Sequence, residues 1–304
     1  MANFQPKHIL CPIDFSEHSA AALGVAGGLT KAFGAEVIVL HAERLEAPVY
    51  FTAAQTKALR AQLRRSARAA RAFVADFAGK HLPEDLSRTI VLVEGDPVQA
   101  VLRAIKDLRV GLLVMGTHGR TGLARIRLGS VTESVLRQVR TPVVTVGPHI
   151  KPVAGLRAIR RVLCPANFGY LARLACEYAA AIAEKLSAEL SVVHDEEGAP
   201  EAGRTLEEIR QLVCDWLPAE VRSRCTVKEV VRQGHAAQQI VAEAKESRAD
   251  LIVVGAHPRS FLGTILFGST TEFVIRNATC PVLSVIHKKT LAPHIRRARQ
   301  DQGR

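Results

Sequence analysis

Short apolar runs alternate along the chain with longer stretches of mixed polarity. Runs such as VIVL and LLVM are apolar at successive positions, which is typical of strands in a parallel sheet that helices cover on both faces. The stretches between them have helical spacing. In the first half we expect strands near residues 8–12, 36–41, 89–93, 112–115 and 143–146, and helices near 16–33, 53–79, 97–109 and 130–140.

The same alternation occurs twice. KHILCPIDF returns as RRVLCPANF, LLVMGTHGR as LIVVGAHPR, and TPVVTV as CPVLSV. Strands of the second half are expected near residues 161–165, 189–194, 226–231, 251–254 and 282–286. Such internal repetition, in a chain long enough for two domains of roughly 150 residues, predicts two related domains in tandem. We divide the chain into a first domain (residues 1–150), a second domain (151–290) and a basic tail (291–304).

Composition narrows the protein class. No apolar run approaches the roughly 18 residues of a membrane span, and the first residues lack the apolar core of a secretory signal, so we expect a cytoplasmic protein with no membrane partner. The six cysteines form no C-x-x-C pair, which favours reduced, structural thiols over a zinc site or disulfides. The formal net charge of +12 keeps a polyanionic partner open as an alternative, although a solvated helix face rich in arginine accounts for much of it.

The segment GTHGRTGLARIRLGS carries the candidate chemistry. We expect Gly116 and Gly119 to turn the backbone at positive φ and to bring N–H groups close to an anion. Gly129 and Ser130 then open a helix, whose first N–H groups and dipole favour phosphate. The hydroxyls of Ser130 and Thr132 would be further donors.

A structural explanation of the same residues stays open. Ser130 and Glu133 have the S-x-x-E spacing of a capping box, which any helix can use, and glycine spacing alone is weak evidence for a nucleotide. The expected position in the fold favours a ligand, because ligands of open parallel sheets bind beyond the carboxyl ends of the strands at the switch point. Asp14 and Gly116 would meet there if the first and fourth strands are neighbours.

The second copy, GAHPRSFLGTILFGS, keeps the length of this segment and changes its chemistry. Pro258 stands where the first copy has Gly119; proline has no N–H and holds φ near −65°. Asn167 replaces Asp14, and the loop has fewer arginines and more apolar residues than the first copy. Three interpretations remain: a scaffold, a site for an apolar or different small molecule, or residual nucleotide binding through Gly268 and Ser269.

These residues resemble the universal stress protein A family. Its ATP-binding members show G-x2-G-x9-G-[ST], here Gly116, Gly119, Gly129 and Ser130, and a P-x-D-F-S segment, here starting at Pro12. The resemblance implies two tandem flavodoxin-like (adenine nucleotide alpha hydrolase-like) α/β domains. Each would have a five-stranded parallel sheet of order 3-2-1-4-5 and about four helices.

The resemblance also implies the site. Ile13 and Asp14, next to Pro12, would contact adenine and ribose, and Ala42 would line the adenine pocket. The residues that would wrap the ribose and phosphates are Gly116, His118, Gly119, Arg120, Gly129, Ser130, Val131 and Thr132. The expected ligand is ATP, with AMP or ADP as alternatives, accompanied by Mg²⁺ or Mn²⁺.

The function that the resemblance implies is a nucleotide-dependent stress sensor or regulator that acts through its first domain. The edges at Pro142 to Val146 and Pro281 to Ile286 would pair the two domains into an intramolecular pseudo-dimer, and a homodimer is a further expectation. One alternative is a slow ATPase or nucleotidyl hydrolase, although no catalytic residue can be assigned. Another is a basic interaction module for nucleic acid or a protein, for which charge is the only argument, so nucleic acid is not the expected partner.

Overall fold

The computed structural model describes residues 4–43, 52–119, 128–152, 158–196, 205–256 and 268–286. The first half contains β1 (His8–Pro12), α1 (Glu17–Phe33), β2 (Glu36–Glu43), α2 (Ala53–His81), β3 (Arg88–Glu94), α3 (Pro97–Asp107), β4 (Leu112–Gly116), α4 (Ser130–Gln138) and β5 (Val143–Val146). The second half contains β6 (Arg161–Pro165), α5 (Tyr170–Leu186), β7 (Glu189–Glu196), α6 (Leu206–Trp216), α7 (Ala219–Arg224), β8 (Val227–Gln233), α8 (Ala236–Glu246), β9 (Leu251–Ala256), α9 (Ser269–Asn277) and β10 (Val282–Ile286).

The strands that the structure describes form one sheet, in the order β3-β2-β1-β4-β5-β10-β9-β6-β7-β8. Each half therefore has the expected order 3-2-1-4-5, with parallel pairing throughout. The halves join through β5 and β10, which pair antiparallel with Val282 opposite Thr145. This contact confirms the expected pairing of the two edges, and it removes both from solvent.

Helices cover both faces of the sheet, as the apolar strands predict. One core cluster packs α1, α2, α5, α6 and α7 against the first face. A second packs α3, α4, α8 and α9 against the other. Because the chain leaves β1 and β4 toward opposite faces, a crevice forms between the carboxyl ends of these two strands, and a second one forms between β6 and β9.

The second half has one helix more than expected in its described part. The link between β2 and β3 contains α2, a single helix of 29 residues. The corresponding link between β7 and β8 is divided into α6 and α7 by Pro218, which has extended ψ and starts α7. Proline cannot continue a helix because it lacks the N–H and its ring clashes with the preceding turn.

The helices of the two halves begin and end at corresponding positions with different caps. In the first half, Ser16 caps α1 and Asp96 caps α3 with their side chains, and Gly34 ends α1 with a φ of 61°. The corresponding residues of the second half are Gly169 and His235, which make no side-chain cap, and Ser187, which adopts a φ of 51°. The tertiary structure therefore sets these boundaries even where the local capping signal is lost.

All six cysteines are free, as their spacing predicts. Complete burial raises the pKa of the Cys11 thiol far above its ordinary value. A hydrogen bond with Cys176, whose sulfur lies 3.3 Å away, and then burial raise the pKa of Cys164. These thiols stay protonated and serve as small apolar core groups. In the part of the chain that the structure describes, no helix is both long and apolar enough to cross a membrane.

Candidate functional site

The end of β1 holds a carboxylate in a fixed position. The Ile13 N–H donates to the Leu40 carbonyl at 2.8 Å, which extends the pairing with β2 past the strand. Phe15 then adopts a φ of 65°, a left-handed conformation that turns the chain into α1. Asp14 Oδ1 accepts from the Ser16 N–H at 3.1 Å and from the Ser16 hydroxyl at 2.6 Å. The chain thus supplies one oriented acceptor group at this strand end.

The end of β4 lies directly against this segment. A Cβ at Gly119 would lie 2.9 Å from Asp14 Oδ2. At Gly116 it would lie 3.1 Å from the carbonyl group of His18 in α1. The structure therefore brings Asp14, Gly116 and Gly119 together, as expected for neighbouring first and fourth strands.

The expected positive φ at these two glycines is wrong. Within the described ranges, the glycines with positive φ are Gly34, Gly95 and Gly234, and neither Gly116 nor Gly119 is among them. Close approach favours glycine at both positions, because a side chain would press on the end of the Asp14 side chain or on the backbone of α1. The proline that the second copy has at the position of Gly119 lacks the N–H.

Gly129 begins α4 without a side-chain cap. Its N–H donates to the Thr117 carbonyl at 2.7 Å, which ties the helix start to the end of β4. The capping-box explanation is also wrong, because Ser130 is already the first helical residue, and the Glu133 carboxylate accepts from Arg137 Nη2 at 2.7 Å. A helix start without a side-chain cap is the arrangement in which an external anion completes the first turn.

Thr132 has a different contact from the one expected. Its buried hydroxyl donates to the Gly116 carbonyl at 2.8 Å, so in this structure it fastens α4 to β4 rather than offering its hydrogen to a ligand. Thr271 makes the corresponding, longer contact to the Gly255 carbonyl at 3.4 Å in the second half. Ser130, by contrast, is exposed at the start of α4.

The histidines near the crevice divide into two roles. His41 Nδ1 lies 2.9 Å from the Ile13 carbonyl, and the His41 ring packs on Phe15 at 4.6 Å between centroids, so this histidine stabilises the end of β1. His118 Nδ1 lies 2.9 Å from Thr117 Oγ1. The His118 ring lies beside the ring of His18, with 5.6 Å between centroids. This second pair belongs to the crevice itself.

The predicted adenine side is apolar. Pro12 ends β1 opposite Leu40, and Ile13 is buried. Ala42 pairs with Val93, and both Ala42 and Val131 pack against the core cluster of the α3 and α4 face. Arg120 lies outside the described residues. So do Pro258, the apolar loop of the second copy and the tail at 291–304.

A protein-family model described as "Universal stress protein family" matches residues 6–147 and again residues 158–285. The chain belongs to the universal stress protein family. A universal stress protein of Thermus aquaticus is 31% identical over 140 residues, which are 46% of this chain and 98% of that protein. One of Methanocaldococcus jannaschii is 28% identical over 153 residues, covering 46% of this chain and 94% of that protein. A solved universal stress protein of Archaeoglobus fulgidus shares the fold, with a TM-score of 0.67 at 23% identity over 93% of this chain and 99% of that one.

The second universal stress protein domain keeps the backbone arrangement and loses the polar groups. Asn167 Oδ1 accepts from the Gly169 N–H at 3.1 Å, in place of the Asp14 and Ser16 contact. Gly255 is packed even more tightly than Gly116, since a Cβ there would lie 2.6 Å from the Leu171 carbonyl oxygen. The uncharged amide, the missing hydroxyl and the leucine at the position of His18 remove a carboxylate, a hydroxyl and an imidazole from this crevice, whereas the start of α9 at Gly268 still has no side-chain cap.

Three residues of the site were not among the predicted site residues: Ser16, His18 and Thr117. Ser16 belongs to the P-x-D-F-S segment without having been assigned a role, and the contact of His18 with His118 joins distant parts of the chain. One signal was available, because each is polar in the first copy and glycine, leucine or alanine in the second. Among the residues that the structure describes, no group of three or more histidines, cysteines and carboxylates could hold a metal ion.

Proposed function

We propose that residues 1–150 bind an adenine nucleotide in the crevice between β1 and β4, with ATP as the principal ligand and ADP or AMP as alternatives. Residues 151–290 serve mainly as a scaffold. One observation carries the proposal: a carboxylate fixed by Ser16 lies across Gly119 from a helix start that has no side-chain cap. A nucleotide has matching groups, because ribose hydroxyls donate and phosphates accept.

Each part of the site has a chemical role. The Asp14 carboxylate accepts hydrogen bonds from ribose hydroxyls. The first N–H groups of α4 and the Ser130 hydroxyl donate to phosphate oxygens, and the helix dipole adds to the attraction. Ile13 and Ala42 give the base an apolar surface. The arrangement binds and orients, and its described residues include no assigned base for water.

We expect a divalent cation, Mg²⁺ or Mn²⁺, to arrive with the nucleotide. Mg²⁺ is usually held by substrate phosphates, waters and one or two carboxylates rather than by a protein cage, and Asp14 is the carboxylate that this site offers. The cation would neutralise phosphate charge near Asp14. Chelation with EDTA is therefore expected to weaken ATP binding, measured by calorimetry.

The biological role that we propose is a cytoplasmic stress sensor or regulator whose state follows nucleotide occupancy. Since the two domains share one sheet through β5 and β10, binding in the first domain is mechanically connected to the second. The outer strands β3 and β8 are the edges of this sheet, and a homodimer could form by pairing along one of them. Light scattering tests whether the chain forms a dimer.

Calorimetry of ATP binding to the wild-type chain and to Gly119→Pro tests this function. Gly119→Pro copies the residue of the second domain, removes an N–H and presses on Asp14. We expect a loss of about tenfold to a hundredfold in affinity. Gly79→Ala in α2 is the control, because a Cβ there meets no atom within 4 Å and the residue lies outside the proposed site. Wild-type protein that binds no adenine nucleotide, or Gly119→Pro with unaltered affinity, would contradict the proposal.

A further inference from the structure

We propose that His18 is a further ligand-contacting residue of the first domain, and that it binds the phosphates of the nucleotide together with His118. This inference rests on the proposed function and assigns a residue that lies outside the glycine-rich segment. His18 belongs to α1, on the opposite face of the sheet from α4. The phosphates would therefore be held from both sides of the crevice.

The position of His18 is fixed by packing. Its backbone approaches Gly116 so closely that a Cβ on the glycine would lie 3.1 Å from the His18 carbonyl carbon, carbonyl oxygen and Cβ. The His18 ring is partly exposed and lies 5.6 Å from the ring of His118 between centroids, with the two planes tilted by 52°. Within the described part of the chain, the imidazole of His18 makes no hydrogen bond. An imidazole in a fixed place with a nitrogen to donate is suited to bind an anion.

The surrounding groups decide which part of a nucleotide meets this pair. His118 directly precedes Gly119, which lies against Asp14, and its Cα would be 3.6 Å from a Cβ on Gly129. The backbone of His118 thus lies next to the start of α4 and next to Gly119, which contacts Asp14, and the His18 ring lies beside the His118 ring. Asp14 repels the phosphates of a nucleotide, and the start of α4 attracts them. If the ribose is bound at Asp14, the phosphates therefore extend past the two imidazole rings.

The second domain supplies an independent argument. Leu171 occupies the position of His18 there, is buried, and closes against Gly255 as His18 closes against Gly116. An apolar side chain therefore satisfies the packing at this position. The imidazole occurs in the domain that also keeps Asp14 and Gly119, and it is replaced where both of these are replaced.

The test is calorimetry of ATP binding to wild-type protein, His18→Leu, His18→Gln and His8→Leu. His18→Leu copies the second domain and should fold, which a thermal midpoint close to that of the wild type would verify. Loss of a donor to a charged ligand is expected to weaken ATP binding about tenfold. His18→Gln keeps a donor and should recover part of the affinity. His8 lies at the opposite end of β1 beside Glu36, so His8→Leu should leave ATP affinity unchanged.

Two further measurements distinguish a phosphate contact from a packing effect. In competition experiments, His18→Leu should lose less affinity for AMP than for ATP, because AMP has one phosphate. In NMR spectra, the His18 imidazole signals can be assigned by their absence in His18→Leu. During a titration with ATP, their chemical shifts should change with the same midpoint as ATP binding. An ATP affinity of His18→Leu within twofold of the wild type, an equal loss for AMP, or unmoved imidazole signals would overturn the assignment. A wild-type chain that binds no ATP would instead overturn the proposed function on which it rests.

Discussion

In each domain, a histidine at the same position of the second strand contacts the backbone that follows the first strand. His41 Nδ1 lies 2.9 Å from the carbonyl of the residue after β1, and His194 Nδ1 lies 2.8 Å from the carbonyl of the residue after β6. Phe15 and Phe168 follow with φ of 65° and 57°. These contacts involve backbone atoms or apolar rings, so they depend on the fold and require no ligand.

The differences lie in the side chains that border the crevice. Asp14, Ser16, His18 and Thr117 of the first domain correspond to Asn167, Gly169, Leu171 and Ala256 of the second. Every one of these changes removes a charge, a donor or an acceptor, while strand order and register persist. The fold therefore tolerates these changes, and the residues found only in the first domain are the ones that separate the proposed binding site from its counterpart in the second.

Adding a methyl group to the glycine that ends the fourth strand should affect the second domain more. Gly255→Ala would place a Cβ 2.6 Å from a backbone oxygen of α5, whereas Gly116→Ala would place it 3.1 Å from α1. We expect Gly255→Ala to lower the free energy of unfolding by about 3 kcal/mol, and Gly116→Ala by about 1 kcal/mol. Urea denaturation measures both. Equal losses would show that the two crevices are equally packed.

Replacing Asp14 by the asparagine of the second domain should remove most nucleotide binding. Asp14→Asn keeps an oxygen that can accept from Ser16 but loses the negative charge that attracts ribose hydroxyls and the cation. We expect ATP affinity to fall about tenfold to a hundredfold, measured by calorimetry. The reverse change, Asn167→Asp, is the control and should create no second site, because Leu171 and Ala256 remain. A second site in that variant would mean that a single charge separates the domains.

Exchanging the residues that end α1 and α5 should shift stability in opposite directions. Ser187 adopts a φ of 51° where the first domain has Gly34 at 61°. Left-handed backbone costs a residue with a Cβ roughly 1 kcal/mol relative to glycine. Ser187→Gly should therefore raise the free energy of unfolding by about 1 kcal/mol, and Gly34→Ser should lower it by a similar amount. Urea denaturation that moved both variants the same way would refute this account of the helix ends.

The smallest expected effect concerns the start of α8. His235 provides no side-chain cap, whereas Asp96 at the corresponding position accepts from the N–H groups of Val98 and Gln99 at 3.0 and 3.1 Å. His235→Asp should add this cap and raise the free energy of unfolding by about 0.5 to 1 kcal/mol. Thermal denaturation compares it with His235→Ala, in which no cap can form. Identical midpoints of the two variants would contradict the prediction.

The strands were predictable from the sequence pattern, whereas their order and the pairing of the domains followed from the resemblance to the family. Continuous apolar runs identify strands that are covered on both faces. Because the two halves repeat, each strand is predicted a second time from the corresponding segment of the other half. The division between α6 and α7 was not predicted, because Pro218 affects only the crossover in which it lies. Sequence periodicity averages over several turns and does not locate such a break.

The site was only partly predictable. The spacing of Gly116, Gly119 and Gly129 identified the loop, yet the reason for the glycines was close approach rather than positive φ. Close approach depends on which element packs opposite, and α1 is nearly a hundred residues away in the chain. The partner of the Thr132 hydroxyl was likewise hidden, since a hydroxyl can donate in several directions.

The number of nucleotides bound by one chain tests the central claim most directly. Equilibrium titration of the full-length protein with ATP, in the presence of Mg²⁺, counts the sites. We expect one ATP per chain, bound about tenfold to a hundredfold more weakly in Asp14→Asn and with unchanged affinity in Asn167→Ala. Two sites per chain, or one site that survives Asp14→Asn and disappears in Asn167→Ala, would contradict the account that only the first domain carries the binding chemistry.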